Sequence, residues 1–469
     1  MTTKSFHKPS TMLKKSILFL MLTVCAMIAN AQGPEITSWL LNTNGALGRH
    51  YVSGNSTPIQ DADSVNVKTV LYSTNWVYVR ANGVPSYITG PFLDGNPSFT
   101  TSQNAIFKIS RNPVQNTGTP TPTTGGNIGI FINGVALFDY RDGVAWNSTS
   151  NSLCGGPGNP PCPGGPGATM DWNRDAIRAE RAGFDCAKGH PAMGNYHHHQ
   201  NPSAFNLDLN VISTICNLYA ADGLYVIDST VHSPLIGYTY DGFPIYGAYG
   251  YANTNGTGGI VRMKSGYHLR NITTRTTSPT GATVTAGPAV STTYPLGYFR
   301  EDYEYIAAPG QQDVLDEHNG RFCVTPEYPN GIYCYFATVD SNWNSAYPYV
   351  VGPTFYGTKT GVKVTSITEP VTVYTPTSAG INENTNTNFS FNAFPNPGSE
   401  FIAVQFNGLL REDITVSLYD INGRKIQDQI INAGSTIGYF DVRTLYAGEY
   451  ILKCANTEMV GQKRVSIIK

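Results

Sequence analysis

The apolar residues of this chain occur in short alternating or β-branched runs that turn-forming residues separate. Early examples are Val65–Val70, Trp76–Val79 and Ile128–Ile132. Asn133-Gly134, which follows the third run, is typical of a tight hairpin turn. Because side chains alternate between the two faces of a strand, such runs suit half-buried sheets better than long helices. The pattern predicts a mainly β fold with a few short helices.

Two segments have the pattern of helices. Asp171 is a candidate N-cap for a helix from Trp172 to Arg181, which Gly183 would end. A second helix is predicted from Leu207 to Tyr219, because the apolar residues of this segment fall on one helical face.

Length and charge limit the classes of protein to which this chain can belong. Its 469 residues are too many for one ordinary core and predict two or three domains. Charged residues make up only 13% of the chain, and the net charge is -2. Lys and Arg are scattered and form no basic stripe, so we expect no nucleic-acid partner.

Residues 1–31 have the pattern of a cleaved export signal. Lys14 precedes the apolar run Ser16–Ile28, and Ala29–Ala31 supplies a small-x-small cleavage pattern. In the alternative interpretation Cys25 would carry a lipid, although the bulky residue before it disfavours this. We therefore expect export through the periplasm, cleavage after Ala31, and a final location in the medium or on the cell surface.

The cysteines are expected to form disulfides, because an exported protein meets an oxidising environment. A bridge between Cys154 and Cys162 would close a Gly/Pro-rich loop that has few side chains to pack. Cys323 and Cys334 flank a predicted hairpin turn. The predicted pairs are Cys154–Cys162, Cys186–Cys216 and Cys323–Cys334, with Cys454 unpaired, and other pairings remain open.

The chain changes character after residue 358. Residues 359–391 are rich in Thr, Asn and Ser with little apolar periodicity, which predicts a linker. Short strands then recur at regular spacing and predict a small Ig-like β-sandwich over 392–469.

Residues 392–469 also carry several motifs in a fixed order. They are Phe394–Pro397, Leu418–Arg424, Leu445–Tyr450 and the terminal strand Lys463–Lys469. In these motifs the segment resembles the type A C-terminal sorting domain of type IX secretion cargo. The resemblance implies a type IX secretion machinery as partner and removal of this domain during export. An ordinary Ig-like binding module is the alternative.

Histidines cluster in the segment Gly189–His199. It contains Gly-His-Pro, then Gly194, then Tyr-His-His-His, and so resembles the G-H-P and G-x-Y-H-Y-H motif of the YHYH-domain family. His198 departs from the motif, which has Tyr at that position. Gly237–Gly247 and Leu315–Pro329 resemble two further blocks of this family. The resemblance implies one large β-rich domain over 32–358 and brings no settled reaction.

The spacing of these histidines favours a metal site. In an extended strand His197 and His199 point to one face, with Cβ atoms roughly 6–7 Å apart, and the residue between them points to the other. His190 lies seven residues before His197, across a Pro/Gly turn, and is expected to fold back as a third ligand. Imidazole nitrogens suit copper or zinc better than calcium or magnesium.

Polar residues from the other two blocks are candidates to complete this site. His318 is a candidate fourth ligand, and Asp241 and Glu317 are candidates for the general base or for orienting a ligand.

Three functions follow from these residues. The first is a secreted metal-dependent oxidoreductase or hydrolase, and the second is metal capture without turnover. The third is a surface adhesion protein that binds glycans or proteins, in which the histidines only satisfy buried hydrogen bonds. Metal-free acid–base chemistry by histidine remains a fourth interpretation of the cluster. The substrate stays unknown at this point.

Overall fold

The computed structural model describes residues 32–94, 98–165, 168–204, 216, 219, 223–376, 391–406, 409–420, 423–456 and 460–468. The chain divides into two compact units, Met1–Tyr374 and Thr375–Lys469. The predicted signal peptide, and almost all of the predicted helix Leu207–Tyr219, lie outside the described residues. Within the described ranges, no helix is long and apolar enough to cross a membrane.

Short strands dominate the described residues, as the sequence pattern predicts. The helical elements are α1 (Pro34–Thr37), α2 (Ala176–Ala179) and 3-10 turns at Arg181–Gly183 and Arg300–Asp302. The strands of the first unit are β1 (Leu47–Val52), β2 (Asn55–Ser64), β3 (Val67–Tyr72), β4 (Trp76–Ala81), β5 (Ala105–Ser110), β6 (Asn127–Phe131), β7 (Ala136–Phe138), β8 (Arg141–Asn147), β9 (Ser152–Cys154), β10 (Asn173–Asp175), β11 (His190–Ala192), β12 (Asn195–His198), β13 (Leu235–Thr239), β14 (Pro244–Tyr246), β15 (Tyr249–Tyr251), β16 (Ile260–Arg262), β17 (Tyr267–Leu269), β18 (Tyr303–Tyr305), β19 (Gly320–Cys323), β20 (Ile332–Phe336), β21 (Val362–Val364) and β22 (Thr372–Val373). The strands of the second unit are β23 (Phe391–Phe394), β24 (Phe401–Phe406), β25 (Ile414–Asp420), β26 (Lys425–Ile431), β27 (Ile437–Asp441), β28 (Gly448–Ala455) and β29 (Val460–Ile467).

An eight-stranded sheet is the centre of the first unit. Its strand order is β11-β12-β7-β6-β13-β14-β20-β19, with parallel pairs at β12–β7 and β14–β20. All five residues of β13 are buried, so both faces of the sheet are covered there. The histidine-bearing strands β11 and β12 form one edge of this sheet.

A five-stranded antiparallel sheet, β21-β5-β4-β3-β22, contributes to the same core. Its two edge strands, Val362–Val364 and Thr372–Val373, fall inside the segment that the sequence assigns to a linker. That assignment is wrong for these residues. These strands are short and mostly exposed, and backbone pairing with the sheet holds them in place. Because they bury few apolar side chains, the sequence shows no apolar periodicity that would reveal them.

The predicted helix at Trp172–Arg181 is shorter than expected and has a different cap. Asn173–Asp175 pair with β8 as a strand, and Asp175 caps α2 by accepting a hydrogen bond from the Ile177 amide at 2.8 Å. Asp171 instead accepts from the Thr285 amide at 2.9 Å. Pairing with a neighbouring strand therefore overrides the local helical preference of this segment.

Two of the predicted disulfides are confirmed. One joins Cys154 and Cys162, and the other joins Cys186 and Cys216. The first joins residues 8 positions apart in the sequence, and the second joins Cys186, before β11, to a residue 30 positions later.

The third predicted pair is wrong in the structure, since Cys323 and Cys334 are both free and buried. The predicted hairpin does form, between β19 and β20. Its register places Cys323 opposite Ile332 and Cys334 opposite Arg321, so the cysteines are not direct cross-strand partners. Cys454 is free, as predicted.

The second unit is a small β-sandwich, as predicted. Its two sheets have the orders β23-β24-β27 and β26-β25-β28-β29. Ile402 and Val404 from the first sheet and Val416, Leu418 and Leu452 from the second are fully buried in one core. The alternation of apolar and polar residues along these strands puts the apolar side chains inside.

Candidate metal centre

A two-residue hairpin holds the first two histidines of the cluster. Strands β11 and β12 pair antiparallel, with His190 directly opposite His197. The turn residues Met193 and Gly194 have φ values of 51° and 82°, as in the type I′ turns that suit tight hairpins. The expectation that His190 folds back toward His197 is therefore confirmed as a matter of geometry.

The alternation of side chains along the strand separates the three consecutive histidines. His197 and His199 meet on one side, where their Nε2 atoms are 3.1 Å apart. His198 points to the opposite side, where its Nε2 lies 2.7 Å from the Tyr87 hydroxyl. The aromatic ring of Phe131 packs edge-on against His198. Only one face of this short segment thus contributes to the cluster.

His190, His197 and His199 form a compact set of nitrogen ligands. The Nε2 atoms of His190 and His199 are 3.4 Å apart, and the candidate ligand atoms of all three residues lie within 4.8 Å of one another. An ion with bonds of about 2.0–2.1 Å in tetrahedral geometry separates its ligand atoms by about 3.3–3.4 Å. The separations of 3.1 and 3.4 Å therefore suit ligands of one transition-metal ion, and the third pair would need to close from within 4.8 Å.

Backbone carbonyls fix which nitrogen of two of these rings carries the proton. His197 Nδ1 donates to the Asn195 carbonyl at 2.8 Å, and His199 Nδ1 donates to the Asp139 carbonyl at 2.6 Å. A carbonyl can only accept, so each neutral ring has its proton on Nδ1 and a lone pair on Nε2. Two lone pairs that face each other at 3.1 Å repel unless a cation or a proton lies between them. A hydrogen bond from Nδ1 to a carbonyl, which leaves the Nε2 lone pair available, is the arrangement that orients imidazole ligands in metal sites.

Burial favours the neutral, ligating form of two of the rings. It lowers the pKa of His190 to about 4 and the pKa of His197 well below the ordinary histidine value. Burial would lower the pKa of His199 as well, but the Glu180 carboxylate and the Asp139 carbonyl outweigh it, and the pKa of His199 is raised. At neutral pH, His190 and His197 therefore need no deprotonation before they bind a metal.

Glu180 belongs to the cluster, and the sequence reasoning missed it. Its Oε2 lies 3.3 Å from His190 Nε2 and 3.4 Å from His199 Nε2. Burial raises the pKa of Glu180, but the adjacent histidines lower it by more, so the carboxylate form is favoured. In the sequence it is one acidic residue in a predicted helix, with no spacing that relates it to the histidines.

A cavity of about 820 Å³ opens beside the cluster. Glu180 and the three histidines line it, together with glycine-rich backbone of the loop that the Cys154–Cys162 disulfide closes. The ring of Phe138 stacks on His197 with centroids 3.9 Å apart. Gly155 has φ of +76°, and a Cβ there would lie 2.3 Å from the Gly143 carbonyl oxygen, so this wall requires glycine.

His318 and Glu317 do not lie in the cluster. The Nδ1 atom of His318 is 2.9 Å from the Thr354 hydroxyl and 3.1 Å from the Thr354 carbonyl. The side chain of Glu317 is 57% exposed and lies beside His318, with 3.9 Å between Oε1 and Nε2. These two candidates therefore make local contacts away from the three grouped histidines.

Asp241 is also separate from the cluster and has a full set of protein partners. Its carboxylate accepts from the Tyr335 hydroxyl at 2.6 Å and from the Gly357 amide at 2.8 Å, and the Thr239 hydroxyl is a third donor. Burial raises the pKa of Asp241, and these hydrogen bonds oppose the shift. The geometry is that of a buried carboxylate that ties neighbouring segments together.

Comparisons with known families agree with the two units. The model of the family described as YHYH protein matches residues 106–348, just over half of the chain. The model described as secretion system C-terminal sorting domain matches residues 392–469. No curated protein matches the chain. The first match contains Glu180 and all three grouped histidines, and the second makes this a secreted or cell-surface protein. The chain belongs to the YHYH protein family.

Proposed function

We propose that this exported protein binds one copper or zinc ion through His190, His197 and His199. The observation that carries the proposal is the direction of the Nε2 lone pairs. His197 and His199 donate their Nδ1 protons to backbone carbonyls, and their Nε2 atoms face each other at 3.1 Å. His199 Nε2 also lies 3.4 Å from His190 Nε2. A cation at the centre removes the repulsion between all of these lone pairs, whereas a proton on His199 Nε2 removes it for only one pair at a time.

The type of ligand selects the class of ion. Imidazole nitrogens favour copper and zinc, whereas calcium and magnesium take mostly oxygen ligands. The buried neutral rings of His190 and His197 suit such an ion at neutral pH.

The cavity supports a reaction at the metal. Its volume of about 820 Å³ lies within the range of small-molecule sites, which is about 300–1,000 Å³. A small substrate in this cavity would reach the face of the cluster that lines it. We therefore propose a metal-dependent oxidoreductase or hydrolase, and metal capture without turnover is the competing function.

Export of the protein out of the cell would depend on segments near both ends of the sequence. The type IX secretion machinery is the proposed partner of residues 392–469, a role that the match to a sorting domain supports. Removal of residues 1–31 after Ala31 is the proposed first step of export.

Metal content of the purified protein tests the proposal. We expect close to one copper or zinc ion per chain by elemental mass spectrometry, and loss of that ion in a His197→Ala/His199→Ala variant that stays folded. His268→Ala is the matched control, since His268 is an exposed histidine on β17 and should leave metal content unchanged. Wild-type protein without metal, even after incubation with copper and zinc, would leave the adhesion function as the better account.

A further inference from the structure

Glu180 reaches the three histidines from a different element of the fold. It directly follows α2, whereas His190, His197 and His199 belong to the β11–β12 hairpin and the residue after it. We propose that Glu180 is the fourth ligand of the metal ion, so that the centre has three imidazole nitrogens and one carboxylate oxygen. This inference rests on the proposed metal-binding function.

Three of the four atoms already form one face of a tetrahedron. Glu180 Oε2 lies 3.3 Å from His190 Nε2 and 3.4 Å from His199 Nε2, and the two nitrogens are 3.4 Å apart. A tetrahedral ion with bonds of about 2.0–2.1 Å requires edges of about 3.3–3.4 Å. His197 Nε2 lies 3.1 Å from His199 Nε2 and within 4.8 Å of the His190 ligand atom, so a small movement toward the other atoms would bring it to the fourth corner. A nearly equilateral triangle of one oxygen and two nitrogens is compatible with their coordination of one ion.

The Glu180 carboxylate is drawn to the two histidines by charge, but its hydrogen-bond geometry with them is poor. Its Oε2 is buried and makes no hydrogen bond of acceptable geometry within the described part of the chain. The separations of 3.3 and 3.4 Å from imidazole nitrogens are longer than the 2.7–3.2 Å of ordinary N–H···O bonds. A protonated His199 offsets part of the cost of burying this carboxylate, whereas a cation between the oxygen and both nitrogens would compensate all three atoms at once.

The elements around Glu180 hold it in this place. Its amide donates to the Ala176 carbonyl at 2.8 Å, which continues the turn of α2. At the other end of the helix, Asp175 caps the Ile177 amide and accepts from the Tyr349 hydroxyl at 2.6 Å. The carboxylate is thus presented by an anchored turn, as a preorganised ligand requires.

Metal titration of the metal-free protein tests the assignment. Zinc and copper affinities would be measured by competition with a chelator for wild type, Glu180→Gln, Glu180→Asp and the control Glu317→Gln. Loss of a residue that only orients a ligand weakens binding by about 10–100-fold, so we expect at least about 100-fold for Glu180→Gln. Glu180→Asp should recover part of that loss because it keeps the carboxylate, and Glu317→Gln should match wild type.

A cobalt(II) derivative gives a second readout that needs no variant. Four-coordinate cobalt absorbs visible light far more strongly than six-coordinate cobalt, so wild type should show the intense spectrum and Glu180→Gln a weaker or shifted one. Circular dichroism would establish that each variant is folded. If Glu180→Gln does not fold, the wild-type cobalt spectrum and the metal affinity of Glu180→Asp test whether Glu180 is a ligand.

The outcomes separate this inference from the function on which it rests. Wild type that binds one metal ion, with unchanged affinity and cobalt spectrum in Glu180→Gln, would overturn the role of Glu180 and keep the histidine centre. A weak six-coordinate cobalt spectrum in wild type would also overturn it. Wild type that binds neither zinc, copper nor cobalt would overturn both proposals.

Discussion

Replacing His197 and His198 one at a time by phenylalanine separates metal ligation from packing. The two residues are adjacent, both are buried, and both substitutions keep an aromatic ring while removing its nitrogens. His197 Nε2 faces His199, whereas His198 Nε2 faces the Tyr87 hydroxyl at 2.7 Å. The same chemical change should therefore remove a metal ligand at His197 but only a hydrogen-bond partner of Tyr87 at His198.

The structure sets the size of each effect on the free energy of unfolding. His198→Phe removes one of the hydrogen-bond partners of the buried Tyr87 hydroxyl, which we expect to cost about 0.5–1.5 kcal/mol with or without metal. His197→Phe loses the bond from Nδ1 to the Asn195 carbonyl, which contributes about 0.5–1.5 kcal/mol. A ligand at 100 times its dissociation constant stabilises the folded state by about 2.7 kcal/mol. His198→Phe should keep this metal-dependent gain, and His197→Phe should lose it.

Urea denaturation followed by circular dichroism measures both quantities. Each variant would be unfolded once with a chelator and once with excess zinc at pH 7.5. The difference between the two curves is the metal-dependent gain, and it cancels whatever the substitution does to packing. A zinc-dependent gain that survives in His197→Phe, or that vanishes in His198→Phe, would refute the assignment of faces.

Three further predictions concern residues around the site. Burial lowers the pKa of His198 to about 3, so the unfolded chain binds a proton below about pH 6.5 that the folded chain does not. Metal-free protein should therefore lose about 1.6 kcal/mol of its free energy of unfolding between pH 6.5 and 5 because of this residue, and His198→Phe should lack that loss in denaturation curves at the two pH values. Replacing Cys154 and Cys162 by serine should lower the free energy of unfolding by about 2.5 kcal/mol in the same assay, because the disulfide joins residues 8 positions apart and so restricts the unfolded chain. An unchanged denaturation midpoint would argue against this loss of unfolded-chain entropy. Gly189→Ala should destabilise the protein by about 1–3 kcal/mol, since a Cβ would lie 2.3 Å from the Tyr196 hydroxyl oxygen, and a stability equal to wild type would mean that the contact relaxes freely.

The sequence was sufficient for the parts of the site that depend on local periodicity. Side-chain alternation places His197 and His199 together and His198 apart, and the Met193-Gly194 turn brings His190 across the hairpin. These relations involve residues close along the chain, so strand and turn geometry determine them.

The sequence pattern does not predict side-chain contacts between elements that are far apart along the chain. Glu180 joins the cluster through the packing of α2, and nothing in its spacing from the histidines indicates this. His318 and Asp241 are polar residues in motifs that resemble those of the family, yet their partners are Thr354 and Tyr335. Which of several polar residues meets the histidines is decided by tertiary packing.

The strand register likewise could not be read from residue types. Cys323 and Cys334 flank a hairpin turn, but the observed register puts Ile332 opposite Cys323. A shift of one or two positions in register decides which side chains face each other.

Anomalous X-ray diffraction at the absorption edges of copper and zinc, from crystals of the protein grown with each metal, would locate a bound ion directly. We expect one anomalous peak about 2.0–2.1 Å from the Nε2 atoms of His190, His197 and His199. Crystals grown with either metal that show no peak at this cluster, or whose peaks lie only at other residues, would contradict it.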